Sequence, residues 1–436
     1  MAVAQLSLPR GAERATRAQA LRTWMGRLAV GTVLLMLAGL GCIYSTTVYL
    51  RIALGRPPYA DFFQHLVFLA IAIALAGAAM LAINAFAPAR RWLRWVIPAA
   101  FFASLILVAL VQIPGLGIEA FGSLRFLRLG PVTFQPSEVL KVSLVLYLSQ
   151  LLCWWRRYPP KLNAMERRKA AALGEPRRGG IASWLKLTRE ERPLWPDLPK
   201  RCVLVITMAV GLTVIQPDLG TALLILGGSF ITLAVAGVDW RQMLLFLALL
   251  GMFGGAAILL DHDKYNYAME RIHTWINPMA DDDSAGYQIT QARGALAVAG
   301  VWGRGYLNSQ QKINRLPLST KDFVYPVMVE EMGYVGGVLI ILLFLNIAWV
   351  SLRLSQLCRD PFNRTVIAAL GYALCLQAFV NIAVTIGTLP LSGLTLPFFS
   401  EGGTSVVVCT LAVGIMLGLA LSELRQARQQ SVAPEG

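Results

Sequence analysis

Repeated apolar runs, each close to the length that crosses a lipid bilayer, restrict the fold of this chain more than any other feature. A transmembrane helix needs roughly 20 consecutive apolar residues. Hydrophobic residues make up 56% of the 436 residues and charged residues only 14%, and the charges collect between the apolar runs. Soluble domains contain fewer apolar and more charged residues. The sequence therefore predicts an all-α polytopic membrane protein with about ten transmembrane helices.

The predicted spans form one integral membrane domain covering residues 1–436, and their even number places both termini on one side. The fifth span is short, so it either extends into Gln216-Pro217-Asp218 or is a broken helix beside a cavity, where unpaired backbone is tolerated. The ten spans are Leu34–Leu50, Phe63–Phe86, Trp95–Val111, Val139–Trp155, Val203–Ile215, Thr221–Val238, Met243–Leu260, Val324–Val350, Val366–Ile386 and Ser405–Leu421.

Arginine and lysine residues give the predicted orientation, because loops that stay in the cytoplasm carry the positive excess. They concentrate in residues 1–27, in the loop 156–201 and in the tail 423–436, which we expect to be cytoplasmic. The net charge of +15 then reflects the membrane topology, and it also favours attraction of the chain to anionic membrane lipids. Nucleic-acid binding is not expected.

The longest predicted outer connection covers residues 261–322, between the seventh and eighth spans. A connection of this length in a compact bundle is usually functional, and amphipathic stretches predict that it is large and partly helical. It ends at Asp322, just where the eighth span begins. Asp322 is therefore the candidate catalytic residue at the outer membrane surface. The alternative is an acid that caps the eighth helix.

Basic side chains in or at the end of this loop could bind an anionic substrate near Asp322, although each could equally be solvated surface. These candidates are Arg271, Arg304, Lys312, Arg315 and Lys321.

Ionisable residues also open two other spans. Glu138 and Lys141 are three residues apart and share a helix face, and such a pair at membrane depth must face protein or a cavity. A structural salt bridge and substrate contact are both open for this pair. Asp218 lies within the first turn of the sixth span, where a helix cap and substrate contact are again alternatives.

The ninth span carries Gln377 and Asn381, which are further substrate-binding candidates. After it, residues 389–405 contain two prolines and three glycines. This composition predicts a re-entrant or unwound segment, which is tolerated where it lines a cavity. We therefore expect a central groove that opens to the outer face.

Five sequence segments, in this order, resemble the SEDS family of RodA and FtsW. Each segment alone is weak evidence for the family, but the ordered set of five is specific. The segments are Phe134-Gln135-Pro136-Ser137-Glu138 with Lys141; Gln216-Pro217-Asp218-Leu219-Gly220-Thr221; Asn277-Pro278 with Gly286-Tyr287-Gln288; Asp322-Phe323 with Glu330-Glu331-Met332-Gly333; and Leu396-Pro397-Phe398-Phe399-Ser400 with Gly402-Gly403-Thr404-Ser405.

The resemblance implies a peptidoglycan glycosyltransferase that polymerises lipid II at the outer face of the bacterial cytoplasmic membrane, during elongation or division. It implies a class B penicillin-binding protein, a transpeptidase, as partner, and it places the catalytic aspartate at Asp322. The chain departs from the family pattern near this residue. Thr320-Lys321 replaces a His-Thr pair, Leu318 replaces a glutamate and Glu401 replaces a tyrosine.

The chemistry gives the same residue a role. Extending a glycan from a lipid diphosphate requires a base for the attacking hydroxyl and positive charge for the departing diphosphate. No cofactor is predicted with certainty; a divalent cation such as Mg²⁺ is the one candidate, and no metal site made of protein ligands is expected. The alternatives are a flippase for lipid-linked precursors, which would use Glu138, Lys141 and Glu330 or Glu331, and an inactive scaffold of the cell-wall machinery.

Overall fold

The computed structural model describes residues 10–85, 92–113, 115–120, 123–129, 132–157, 200–216, 218–260, 262–278, 285–312 and 320–432. Most of the basic loop 156–201, and Arg315 and Leu318, lie outside these residues. The helices are α1 (Arg10–Ala53), α2 (Ala60–Ala85), α3 (Leu93–Leu110), α4 (Pro136–Arg157), α5 (Lys200–Ile215), α6 (Leu219–Ala236), α7 (Trp240–Leu260), α8 (His262–Ile276), α9 (Ala285–Val298), α10 (Val324–Leu357), α11 (Pro361–Thr385) and α12 (Gly403–Val432).

The helical, membrane-spanning architecture is confirmed. Within the described residues, eight helices are long and apolar enough to cross a membrane. The predicted fifth and seventh spans correspond to two further helices, α5 with 16 residues and α7 with 21. The chain is therefore a multi-pass membrane protein, and α8 and α9 supply the helical part of its large outer loop.

A small β-sheet between α3 and α4 is a feature that the sequence did not predict. Strands β1 (Gly117–Ala120), β2 (Ser123–Leu129) and β3 (Val132–Phe134) form an antiparallel meander in the order β1-β2-β3. The register pairs Ile118 with Phe126 but Glu119 with Leu124. Arg125 is thus an extra residue on β2, a β-bulge, and a bulge redirects side chains relative to the regular alternation of a strand.

Two apolar clusters fill the membrane domain. The larger one joins α1, α10, α11 and α12 around side chains such as Phe344 and Phe399. The smaller one joins α3, α4, α5 and α6, with Phe101 and Ile206 among its buried residues. Helix α4 packs against both α6 and α11, so the two clusters meet there. The polar residues described below lie along this junction.

Both ends of the described chain lie at one face of the bundle. Arg17 Nη2 is 2.6 Å from Glu423 Oε2 on α12, and Arg17 Nε donates to the carbonyl of Leu357 at the end of α10. Buried Glu423 also accepts a 2.8 Å hydrogen bond from Asn363 Nδ2. We refer to this side as the terminal face, and Asp322 lies at the opposite end of α10.

A break in α10 connects this helix to the outer loop. Gly333 has φ 72° and ψ −179°, a conformation that favours glycine. The break frees the carbonyls of Glu330 and Glu331, which accept hydrogen bonds from the backbone N–H groups of Arg304 (2.9 Å) and Gly305 (3.0 Å). The loop after α9 is thereby fixed against the outer end of α10, close to the start of the helix that follows Asp322.

Candidate active site

Asp322 lies in the turn that leads into α10, but its side chain does not cap the helix. The N-cap position is Phe323, which makes no side-chain cap. The Asp322 carbonyl accepts a 3.0 Å hydrogen bond from Asn381 Nδ2, and the same amide donates to the carbonyl of Leu394 (2.6 Å). Asn381 is buried and links the backbone of Asp322 to that of Leu394. Helix capping therefore does not explain the acid.

The half-buried carboxyl of Asp322 has an unusual acidity. Loss of solvation raises its pKa to about 6. The positive charges of Lys321, Arg125 and Arg271 oppose this rise, and the negative charge of Asp218 adds to it. A carboxyl with this pKa is mostly ionised at neutral pH and is still basic enough to accept a proton, as a general base requires.

Arg125 is the site residue that the sequence reasoning missed. Its guanidinium Nη1 lies 3.2 Å from the position that a Cβ would take on Gly393, and Asp322 Oδ2 lies 3.6 Å from the same point. The arginine and the aspartate thus lie beside one residue, Gly393. Its φ of +64° is a conformation that favours glycine. The alternation of side chains along a strand could have indicated which way Arg125 points. The β-bulge interrupts this alternation at Arg125.

Asp218 takes one of the two roles that the sequence left open, the helix cap, and substrate contact stays a prediction. Its carboxylate caps α6 by accepting hydrogen bonds from the backbone N–H (3.2 Å) and the hydroxyl (2.7 Å) of Thr221. Its Oδ2 also lies 3.7 Å from Arg125 Nε, and both side chains are buried. The cap therefore also holds Arg125 beside Asp322.

Two other predicted basic residues are also close enough to influence Asp322. Arg271, on α8, donates from Nη1 to the carbonyl of Leu391 at 2.9 Å, and Trp275 Nε1 donates to the carbonyl of Gly387 at 2.9 Å. These bonds hold α8 on the unwound segment. Lys321 is exposed and precedes Asp322 directly. Both positive charges lower the pKa of Asp322.

Lys312 and Arg304 are engaged elsewhere. The Lys312 ammonium is buried against the carboxylate of Glu331 and donates to Ser45 Oγ on α1 at 2.9 Å. Burial lowers the pKa of Lys312, against the opposing effect of Glu331. Arg304 Nη1 lies 3.9 Å from Glu330 Oε1. Both residues were predicted to bind substrate, but the structure places them in contacts that hold the outer loop on α1 and α10.

The predicted Glu138–Lys141 pair is present and extends to Gln377. Lys141 Nζ lies 2.7 Å from Glu138 Oε1 and 2.7 Å from Gln377 Oε1. Gln377 Nε2 in turn donates to the carbonyl of Thr395 at 3.1 Å. These side chains line a small cavity of about 40 Å³ between α4, α6, α11 and α12. The pair is therefore linked to the unwound segment through Gln377, and its contact with substrate stays a prediction.

Residues 387–402 contain no helix, in agreement with the predicted unwound segment. Gly387, Gly393 and Phe398 have positive φ angles of 81°, 64° and 67°. Near its end, the backbone N–H of Glu401 donates to the carbonyl of Thr320 at 2.8 Å. Burial raises the pKa of the Glu401 carboxyl, while the Thr320 hydrogen bond and the charge of Lys321 lower it. Two positions that depart from the family pattern, Lys321 and Glu401, thus lie close together.

The residues around Asp322 do not form a metal cage. Among the described residues, no group of three or more His, Cys, Asp or Glu side chains could hold a metal ion. Asp218, the nearby carboxylate, is already bound to Thr221 and Arg125. A divalent ion at this place would need ligands from a substrate in addition to Asp322.

Comparisons with known proteins point to one family. The model of the FtsW/RodA/SpoVE cell cycle proteins matches residues 27–424. The probable peptidoglycan glycosyltransferase FtsW of Halorhodospira halophila is 35% identical over 391 residues, which is 88% of this chain and 86% of the relative. Stage V sporulation protein E of Bacillus subtilis is 29% identical over 330 residues, 76% of this chain and 79% of the relative.

Solved structures share the fold. A chain of a peptidoglycan synthase complex that coordinates polymerization and crosslinking superposes with a TM-score of 0.64 and 26% identity, covering 92% of this chain and 98% of that one. The rod shape determining protein RodA of Thermus thermophilus superposes with a TM-score of 0.58 and 23% identity, covering 91% and 96%. The latter likeness concerns the fold alone.

Proposed function

The chain belongs to the FtsW/RodA/SpoVE family of cell cycle proteins, and from this membership we propose that it is a peptidoglycan glycosyltransferase that polymerises lipid II into glycan strands. Relatives named probable peptidoglycan glycosyltransferase support the reaction class. The observation that carries the assignment of residues is Asp322, a carboxyl with a pKa of about 6 beside the buried guanidinium of Arg125.

In the proposed mechanism, Asp322 accepts the proton of the attacking sugar hydroxyl. The oxygen then attacks the anomeric carbon of the second sugar, and the bond to the lipid diphosphate breaks. Negative charge develops on the leaving diphosphate, which fixed guanidinium and ammonium groups stabilise. Arg125, Arg271 and Lys321 are the described residues whose positive charges lower the pKa of Asp322, and they are the proposed diphosphate ligands.

The polar residues behind the site position it and do not react. Asn381 holds the backbone of Asp322, Asp218 holds Arg125, and Lys141 with Gln377 supports the unwound segment. A divalent cation such as Mg²⁺, if used, would be held by the substrate diphosphate together with Asp322. Removing it with a chelator would then lower the rate without lowering the thermal stability of the protein.

The proposed setting is the bacterial cytoplasmic membrane, with the terminal face in the cytoplasm and Asp322 at the outer face. The excess of arginine and lysine in residues 1–27 and 156–201 supports this orientation. The proposed partner is a class B penicillin-binding protein, supported by the structural likeness to a chain of a peptidoglycan synthase complex. Such a transpeptidase would crosslink the strands that this chain makes.

Labelled lipid II distinguishes the proposed polymerase from a flippase and from a scaffold. The purified full-length chain is reconstituted in vesicles with its partner and with lipid II carrying a fluorescent peptide. The proposal predicts glycan strands longer than one disaccharide unit. Transfer of label between leaflets without polymer would show a flippase, and neither product would show a scaffold; both results would overturn the proposed function.

A further inference from the structure

A groove of about 640 Å³ lies between α1 and α10, away from Asp322 and towards the terminal face. Its position follows from three contacts along the two antiparallel helices. Ser45 meets Glu331 at the outer end, Gly31 faces Asn346 in the middle, and Arg17 reaches the carbonyl of Leu357 at the terminal face. Trp24, Arg27 and Trp349 line the part nearest the terminal face.

The apolar part of the groove fits within one leaflet of a bilayer. From Arg27 to Leu34 its α1 side covers seven residues, or about 10 Å of helix. One leaflet accounts for half of a hydrocarbon core of roughly 30 Å. Arg27 lies 18 residues from Ser45, or about 27 Å along the helix, so the arginine is at the membrane boundary opposite the outer loop.

The groove changes from apolar to cationic along its length. Val30 and Leu34 are 60% and 47% exposed and face lipid. Towards the terminal face, the Arg27 guanidinium lies 4.5 Å from the ring centre of Trp24, and the Arg353 guanidinium lies 4.3 Å from that of Trp349. Tryptophan and arginine are typical of the interface between acyl chains and headgroups.

No carboxylate neutralises these two arginines within the described residues. Neither α1 from Ala15 onwards nor α10 beyond Glu331 contains an aspartate or a glutamate. Two exposed guanidinium groups stacked on indole rings therefore present positive charge without a carboxylate partner. Arg27 lines the groove, and Arg353 follows the lining residue Trp349 by one helical turn. Basic pockets between transmembrane helices on the cytoplasmic side are suited to anionic lipid headgroups.

We propose that the α1–α10 groove is a binding site for an anionic phospholipid of the leaflet at the terminal face. The phosphate binds between Arg27 and Arg353, and an acyl chain lies along Val30 and Leu34. A transmembrane helix of a partner protein fits less well, since it would need an apolar surface across both leaflets and would leave both arginines without a counter-ion.

The test is native mass spectrometry of the full-length chain with added phosphatidylglycerol or phosphatidylcholine carrying the same acyl chains. The wild-type chain retains phosphatidylglycerol in preference. Near an anionic membrane surface each basic side chain contributes about 1 kcal/mol. Replacing both arginines, Arg27→Gln with Arg353→Gln, is therefore expected to weaken phosphatidylglycerol binding about thirtyfold, to the level of phosphatidylcholine.

Two further variants separate this site from general attraction to charge. Arg241→Gln removes an arginine that lies 5.8 Å from the ring centre of Trp240 but outside the groove, and binding is expected to stay unchanged. Gly26→Phe keeps both arginines and places a ring in open space within the groove, because nothing lies within 4 Å of an added Cβ. It is expected to abolish the preference.

Equal retention of the two lipids by the wild-type chain would overturn the proposal. So would unchanged phosphatidylglycerol binding in the double arginine variant, or an equal loss in Arg241→Gln. A photo-crosslinking amino acid at Val30 gives an independent result in native membranes. A phospholipid adduct agrees with the proposal, whereas capture of a partner protein in place of lipid contradicts it.

Discussion

Asp322 shows how opposing electrostatic effects give a functional side chain its acidity. Burial raises the pKa of this carboxyl, and the positive charges of Lys321, Arg125 and Arg271 lower it. The balance is a pKa of about 6. The same cations that restrain the pKa are the groups that would stabilise a leaving diphosphate.

Replacement of Lys321 tests this balance. Lys321→Gln removes a charge that lowers the pKa of Asp322, so the pKa rises and the ionised base forms only at higher pH. The rising, low-pH part of the pH–rate profile is expected to move to higher pH. At still higher pH, where Asp322 is ionised in both proteins, the rate is expected to change less. The measurement is the pH dependence of kcat/KM. Arg128→Gln, an exposed arginine on the same sheet, is the control and should leave this part of the profile in place.

Arg125 is predicted to act through a guanidinium fork and not through charge alone. Arg125→Gln is expected to lower the rate of lipid II polymerisation by about 100-fold or more, the usual cost of losing one fixed donor to a developing anion. Arg125→Lys should restore only a part of this loss. Full activity of Arg125→Gln in a folded protein would remove the residue from the site.

At the residue scale, the position of Asp322 before α10 was predicted from the sequence, but the position of Arg125 beside it was not. Lys312 looked like a free cation beside Asp322 in the sequence, and only the fold shows that Glu331 and Ser45 bind it. Arg125 lies at a β-bulge, and no local sequence pattern predicts the position of an extra residue in a short strand. The sequence alone therefore showed neither the buried partners of Lys312 nor the position of Arg125 beside Asp322.

At the element scale, the outer loop is held on α10 by the two acids that follow Asp322 by eight and nine residues. Glu330 accepts hydrogen bonds from the backbone N–H of Gln310 at 2.9 Å and from the hydroxyl of Ser309. Glu331 binds Lys312 and Ser45. This buried network joins α1, α10 and the loop, so it holds the loop on the helix that follows Asp322.

Breaking this network is expected to destabilise the protein. Lys312→Met leaves the Glu331 carboxylate buried without its cation, which typically costs about 3–5 kcal/mol. The double variant Lys312→Met with Glu331→Gln removes both charges and should recover a large part of the loss. Thermal unfolding of the purified variants in one detergent measures this difference. A double variant as unstable as the single one would show that the ion pair is not what holds the loop.

Helices and breaks were predictable to different degrees. The long apolar runs specified the helices, and the prolines and glycines of residues 389–405 specified the unwound segment. The β1-β2-β3 sheet was not predicted, because its strands are short and precede a span whose hydrophobic signal dominates. The break at Gly333 was not predicted, because a single glycine inside a span is compatible with an unbroken helix.

At the scale of the whole molecule, the site lies where the two apolar clusters meet. Asp322 precedes α10 and Asn381 lies on α11, which are helices of the larger cluster, whereas Asp218 is the N-cap of α6 in the smaller one. Arg125 reaches both from the small sheet. The relative position of the two groups of helices therefore sets the distance between the proposed base and Arg125.

The most direct test of the account compares Asp322→Asn with the wild-type chain in lipid II polymerisation, over pH values on both sides of the carboxyl pKa of about 6. The wild-type rate should rise with pH through this value. Asp322→Asn should lose about 100- to 10,000-fold, the usual contribution of a general base, and unfold at an equal or higher temperature because no charge is buried. Asp239→Asn, at the other membrane face, is the control. Wild-type rates in Asp322→Asn, with the same pH dependence, would contradict the account.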